Sequence, residues 1–374
     1  MKLEQYIYIL DNWDKHLNLS LDSENTLILV FSSLETKLLE TPLQKLFEAF
    51  PKSKFMGCST AGEIYGTTLA EDNFVVQVIY FEKTVLQLVD TKISDNNTSY
   101  ASGKFLASAL KKPKAVMVLS DGLKVNGSAL TKGFADVFGK EVMVSGGLAG
   151  DDNRFQSTWV LVDRKIKSET IVAIGFYGEA FYFGYGSEGG WSSLGLKRKV
   201  TSSSANVLYQ LDNQPALALY KHYLGERADG LPSTGLLFPL GLYDNDEIKV
   251  RSILSVDEVE QSITFAGDIP ENSTVSLMKS SFKSLTTGAS MAVKKIDFGE
   301  KICNQYCCVA ISCVGRKLVL GQRVEDEIEA VFSAFPFDNV MQIGYYSYGE
   351  ISPTVEGQCD LYNQTMTVML FGEF

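Results

Sequence analysis

Histidine is nearly missing from this chain: among 374 residues there are 2, His16 and His222. A serine or cysteine nucleophile normally needs a base within reach, most often histidine, and no spacing ties either histidine to Cys58 or Ser59. Positive charge is also short. The 34 Lys and Arg residues stand against 45 Asp and Glu, a net charge of −11, whereas phosphate binding needs a basic surface. A nucleic-acid partner is therefore excluded, and the cluster Lys197, Arg198, Lys199 reads as a solvated strand start. No segment approaches the roughly 20 apolar residues that span a bilayer. The start, MKLEQYIYILDNWDK, lacks the basic, apolar and small-residue sections of a signal peptide, so a cytoplasmic protein that avoids membranes is expected. The 6 cysteines do not make a disulfide framework in a chain of this length. Four of them, Cys303, Cys307, Cys308 and Cys313, crowd one segment at a spacing that fits no zinc pattern. CCVAISCVG reads instead as a buried strand, and no metal site is expected.

What the chain does contain is a small-residue loop closed by an acid, written three times: Gly57 to Glu63, Ser145 to Asp151, and Gly344 to Glu350. Each follows an apolar run ending at a serine, an amphipathic stretch and a second short apolar run. The first two copies superimpose without a gap at an offset of 88, with LILVF on AVMVL, Ser32 on Ser120, Phe50 on Phe138 and Glu63 on Asp151. The third needs an insertion but keeps VFSAFP against LFEAFP. Such self-similarity implies repeated supersecondary units. Length beyond one comfortable core argues for two domains.

Helical faces support the units. Thr41, Pro42 and Gln44 predict a helix start ahead of Leu43, Leu46, Phe47 and Phe50, and Pro51 a stop. Asn126 precedes a stripe of Leu130, Phe134, Val137 and Phe138 ended by Gly139; Ile328, Val331, Phe332 and Phe335 make a third before Pro336. A further helix is opened by Asp212 and Pro215 and ended by Gly225. Paired β-branched runs at 74 to 90, 157 to 178 and 249 to 269 predict antiparallel hairpins and hence mixed sheets. The fold class is thus α/β, with mixed sheets flanked by helices and built in part from repeated strand, helix, strand and glycine-loop units. Residues 179 to 195, rich in Gly, Ser and aromatics, mark a boundary between domains 1 to 195 and 196 to 374.

Glycine-rich loops at strand carboxyl ends let a ligand approach backbone amides, and the terminal acids add acceptors or pair with a nearby arginine such as Arg316. The alternative is that the glycines turn the chain and the acids cap the turns. GCSTA is one residue short of a nucleophile elbow, which keeps a Cys- or Ser-dependent hydrolase or transferase as an alternative. GYGSEG, residues 184 to 189, satisfies a dinucleotide fingerprint literally, but no helix opens after it.

GCSTAGEI, SDGLKVNG, SGGLAGDD, NQPALALYKHYLG, SCVGRKLVLG, GYYSYGEI and NQTMTVMLF together resemble the paired FIST N and FIST C domains of signal-transduction proteins. The resemblance covers nearly the whole chain. It implies a sensory module for small polar ligands such as amino acids that regulates a separate output protein, a histidine kinase or cyclic-di-GMP enzyme. The expected binding set is Cys58, Ser59, Thr60, Gly62, Glu63, Gly146, Gly147, Asp151, Arg316, Tyr348, Glu350 and Asn363. Stand-alone members called NosP bind haem and sense nitric oxide, which makes haem a possible cofactor and a gas sensor the alternative. Histidine commonly precedes the family's Asn-Gln-Thr, whereas here Tyr362 precedes Asn363, Gln364 and Thr365. A haem ligand would have to be His222 or Tyr362, and weak or no haem uptake is expected.

Overall fold

The structure is a computed structural model that describes residues 1–93, 98–152, 154–244, 247–299 and 302–374. Three passages of chain run strand, helix, strand. The first is Thr26–Ser32, Thr36–Ala49, Lys54–Ser59, and the second is Ala115–Ser120, Gly127–Phe138, Met143–Leu148. The third is Tyr306–Cys313, the helices Val314–Leu320 and Val324–Phe332, then Val340–Ser347. Within each passage the two strands pair in parallel, and every other strand pairing among the described residues is antiparallel. The class is α/β with mixed sheets, as expected.

Around each passage the same additions appear. A return strand (Phe74–Tyr80, Thr170–Tyr177 or Met366–Glu373) pairs antiparallel with the passage's first strand. An outer strand (Lys2–Ile9, Val85–Lys92 or Phe181–Glu188) pairs with that return strand. A hairpin leaves the passage's second strand: Glu63–Tyr65 with Thr68–Ala70, Val160–Val162 with Lys165–Lys167, or Gly349–Pro353 with Cys359–Tyr362. None of these hairpins joins its own passage's sheet. The first pairs with Val340–Ser347, the second with Lys54–Ser59, and the third with Met143–Leu148. The exchange closes a cycle, so each sheet is completed by chain from another unit, and residues 63–70 lie in one sheet with residues 306–347.

Alternation along the strands divides the core. Leu27, Leu29 and Phe31 pack with Met117, Leu119, Val309, Ile311 and Tyr345 in a cluster drawn from all three sheets. Ile28 and Val30 face the other way, onto Leu39, Leu43 and Leu46 of the first helix and Phe50 just after it. Between Glu188 and Phe282 the chain leaves this three-sheet body and builds a separate antiparallel sheet, from Ser192–Ser204 through Thr274–Lys279. Helix Ala216–Leu224 packs on that inserted sheet through Leu217, Tyr220 and Leu224.

Several local expectations change. The first helix begins at Thr36 and runs through Pro42, which lies inside it and not at its first turn; burial of Leu39, Leu43 and Leu46 on one face outweighs one missing backbone hydrogen bond. Asn126 does cap the second helix, its side chain accepting from the Ala129 N–H, but Val137 is exposed. Residues 74 to 90 do not fold back as a hairpin, because Phe74–Tyr80 and Val85–Lys92 belong to different sheets. The Glu373 carboxylate accepts from the backbone N–H groups of Glu82, Lys83 and Thr84 and carries the chain across instead. Residues 170 to 177 likewise leave the Val160–Lys167 hairpin, whereas Ile253–Asp257 and Ser262–Phe265 pair as expected. Asp212 does not open the fourth helix; it accepts from Lys199 N–H and pairs with Arg198, and Pro215 is the cap.

Candidate functional site

The parallel register explains the glycines of the three loops. Gly57 faces Val30, Gly146 faces Val118 and Gly344 faces Ala310. A Cβ on each would lie 2.1, 1.9 and 1.8 Å from the partner's carbonyl oxygen, so the two strands approach closely only because no side chain intervenes. Gly57 therefore corresponds to Gly146, an offset of 89, and the gapless offset slips by one residue in the second strand. Pairing places Glu63 opposite Tyr345 and Glu350 opposite Gly147, each one residue past the close-packed glycine. In the second unit the residue at that position, opposite Cys58, is Val160 and not Asp151.

The loops do converge, on one another. The Ala61 N–H donates to Tyr346 O and the Tyr346 N–H to Gly62 O, while the Gly150 N–H donates to Ser59 O. The Tyr348 hydroxyl donates to Asp151, whose carboxylate also accepts from the N–H groups of Phe155, Gln156 and Ser157. Backbone amides that a ligand was expected to use are thus already hydrogen-bonded within the fold. Glu63 accepts from the Thr60 and Ser33 hydroxyls, and Glu350 accepts from the Ser347 hydroxyl and from Thr365 N–H at 3.1 Å. Both acids are fully buried. Burial pushes Glu63 up to about 7 and Glu350 up to about 8, with the hydroxyl and N–H donors opposing the shift in both.

Arg316 does not pair with a loop acid. It is fully buried against Glu327, Nε to Oε1 at 2.6 Å, and the other Glu327 oxygen accepts from Ser312 and Tyr346 hydroxyls. Its remaining donors reach the carbonyls of Gly189, Gln364 and Leu285. Gln364 in turn receives the Trp191 indole N–H on its carbonyl, and its side chain donates to two groups of the insert, Leu236 O in the short helix Ser233–Leu237 and Ser252 Oγ between the strands Glu247–Arg251 and Ile253–Asp257. Asn363 beside it is fully buried, and neither amide atom has a hydrogen-bond partner among the described residues.

Cys58 and Ser59 are not presented to solvent. Cys58 is fully buried beside the Tyr345 hydroxyl, and burial pushes its thiol well up, the reverse of what a reactive thiolate requires. Ser59 Oγ accepts from the Trp159 N–H. Iodoacetamide at neutral pH is expected to modify native Cys58 no faster than the cysteines at 303 to 313, all six cysteines being buried. Preferential labelling at Cys58, measured by peptide mass spectrometry, would restore the enzyme alternative.

A cleft of about 710 Å³ opens where the inserted sheet meets the body. One wall is the stretch from Phe183 through Trp191, which includes the glycine-rich run that matches a nucleotide fingerprint without the helix to follow it. Glu247, Ile248, Val250 and Met278 of the inserted sheet face it, and Tyr362 and Thr365 form the side nearest the buried loops. Lys295 pairs with Glu188 at 2.8 Å and also donates to Ser187 O. Burial would raise Glu188, but Lys295 and the Gly189 and Gly190 N–H groups hold it below the usual carboxylate range. The Tyr362 hydroxyl points to Glu247 at 3.5 Å, and burial together with the acids Glu247 and Asp360 keeps it protonated.

Of the residues expected to bind, Asp151 lines a smaller surface pocket with Arg154 and Gln156, and Tyr362 alone of the two haem candidates lines the large cleft. His222 is exposed on its helix, with its ring 6.0 Å from that of Tyr223. Neither residue is placed as a free axial donor in this structure: His222 lies outside the cleft, and the Tyr362 hydroxyl is directed at Glu247. Sequence reasoning missed Glu188, Glu247, Lys295 and Trp191. Three of the four are close in sequence or lie on elements named for other reasons, but their meeting depends on the inserted sheet folding back over Phe181–Glu188.

No helix among the described residues is long and apolar enough to cross a membrane. A family model for the FIST N domain matches residues 26–214, and one for the FIST C domain matches residues 216–353. Together they cover most of the chain, which belongs to the FIST family of sensory domains in signal transduction. A curated relative, the uncharacterized protein MJ1623 of Methanocaldococcus jannaschii, is 24% identical over 366 residues, covering 87% of this chain and 69% of the relative. A solved structure, PurLQS from Thermotoga maritima, aligns with 93% of this chain and 66% of its own, at 9% identity and a TM-score of 0.17. That likeness is too low to carry an argument.

Proposed function

We propose that this FIST-family chain is an input module that holds a small polar, amino-acid-like metabolite in the cleft between body and inserted sheet. The supporting observation is the cleft itself. Its volume, about 710 Å³, lies in the range of small-molecule sites, and aromatic walls with a few converging charged groups suit an oriented polar ligand. Lys295, Glu188 and Glu247 supply charges of both signs.

A route for the signal is also present. The segment from Tyr362 to Thr365 touches the cleft, the inserted sheet through Gln364, and buried Glu350 through Thr365. A ligand that draws the inserted sheet onto the body changes the surroundings of this segment. The output is assigned to a separate protein, a histidine kinase or cyclic-di-GMP enzyme, met in the cytoplasm. Thermal unfolding against amino acids and related metabolites tests this reading: a ligand at 100 times its dissociation constant adds about 2.7 kcal/mol. Folded protein that no metabolite of a broad panel stabilises would count against it.

A further inference from the structure

The charges lining the cleft are unequal. Lys295 is its lysine, already paired with Glu188 at 2.8 Å and donating to Ser187 O at 3.0 Å. Two further carboxylates remain on the lining, Glu247 and Asp297. Neither forms an ion pair among the described residues. Glu247 has the Tyr362 hydroxyl at 3.5 Å and the Val355 N–H at 3.4 Å, and Asp297 accepts from the Gly299 N–H. The neighbouring Lys249 is held between Asp244 at 2.8 Å and Asp360 at 2.7 Å. Among the described residues, three carboxylates against one ammonium leave the lining two charges negative. Around them stand the rings of Phe183, Tyr185 and Trp191, the first two stacked at 6.3 Å.

Unpaired carboxylates and aromatic faces recognise the same chemistry, an organic cation: the acid gives the charge-assisted hydrogen bond and the ring face a cation–π contact. The chain's net charge of −11 draws such a ligand in and repels anions. Building on the cleft as the ligand site, we propose that its ligand carries an amine or guanidinium, and that Glu247 and Asp297 grip this positive group.

The test is calorimetric titration of the full chain with tyramine, tyrosol and 4-hydroxyphenylacetate, which share one ring and end in an ammonium, a hydroxyl or a carboxylate, and with agmatine and spermidine. At least one of the amines should bind, more weakly as salt rises, whereas 4-hydroxyphenylacetate should not. The double variant Glu247→Gln, Asp297→Asn should lose at least tenfold in amine affinity with an unchanged melting temperature, since both residues are partly or fully exposed. Preference for the carboxylate, or full amine affinity in the double variant, overturns the proposal. If anionic or neutral metabolites bind and Ile248→Trp in the cleft wall abolishes their binding, the cationic assignment falls and the cleft reading stands. If nothing binds, both fall.

Discussion

Arg316→Met should destabilise the protein by about 3–5 kcal/mol, the size of effect seen when one partner of a buried ion pair is removed. Glu327 would be left fully buried with only the Ser312 and Tyr346 hydroxyls to satisfy a charge that now faces Arg316 at 2.5 Å. The carbonyls of Gly189, Gln364 and Leu285 would lose a donor at the same time. Two of those carbonyls belong to segments beside the cleft, so ligand binding should weaken along with stability. The double variant Arg316→Met, Glu327→Gln should recover part of the loss by removing the stranded charge. Urea unfolding of the three proteins measures the loss and its recovery; a single variant as stable as the parent would mean that this pair does not hold the Gly189, Leu285 and Gln364 segments together.

Stability should also fall as pH rises from about 5 to 8, and Glu350→Gln should remove much of the slope. In the unfolded chain the Glu350 carboxyl titrates near its ordinary 4.5, whereas in the fold burial raises it to about 8. Between those values the folded state holds a proton that the unfolded state has released. Its contribution is therefore complete below about 4.5 and lost as pH climbs through about 8. Every tenfold gain in proton affinity corresponds to about 1.4 kcal/mol, so the full change is on the order of a few kcal/mol. Glu63, raised to about 7, adds a slope of the same sign that ends earlier. A glutamine at 350 can still accept from the Thr365 N–H and bears no charge, so this variant should exceed the parent in stability above pH 8. Parallel stability curves for the two proteins from pH 5 to 9 would show that Glu350 does not carry the linkage.

Much of the body was legible because its signals are local. Apolar runs ending at Ser32, Ser120 and Ser312, amphipathic helices behind them and glycines ahead of the second strand's end are all consequences of a parallel pair covered by a helix. The glycines were legible as constrained positions but not as to cause: whether Gly57, Gly146 and Gly344 admit a ligand or a neighbouring strand is decided by register, which sets carbonyls about 2 Å from any added Cβ. The exchange of hairpins was not legible. Glu63–Tyr65 is a short strand whose partner, Val340–Ser347, lies far along the chain, and nothing in its own residues names that partner. The same long separation hid the cleft, whose walls come from residues 183–191, 247–250 and 353–365. Tyr362 and the Asn-Gln-Thr after it, the segment that bears on haem in the sequence, stand at the junction of body, insert and cleft.

The proposed function turns on ligand binding between the inserted sheet and the body, not within the glycine loops. Ile248 lines the cleft yet is 46% exposed, so a tryptophan there fills the space at little cost to folding. Titrating the parent and Ile248→Trp with whichever metabolite stabilises the parent is the direct measurement. Matching melting temperatures without ligand and loss of binding in the variant are expected. Undiminished binding to Ile248→Trp would contradict the proposed function.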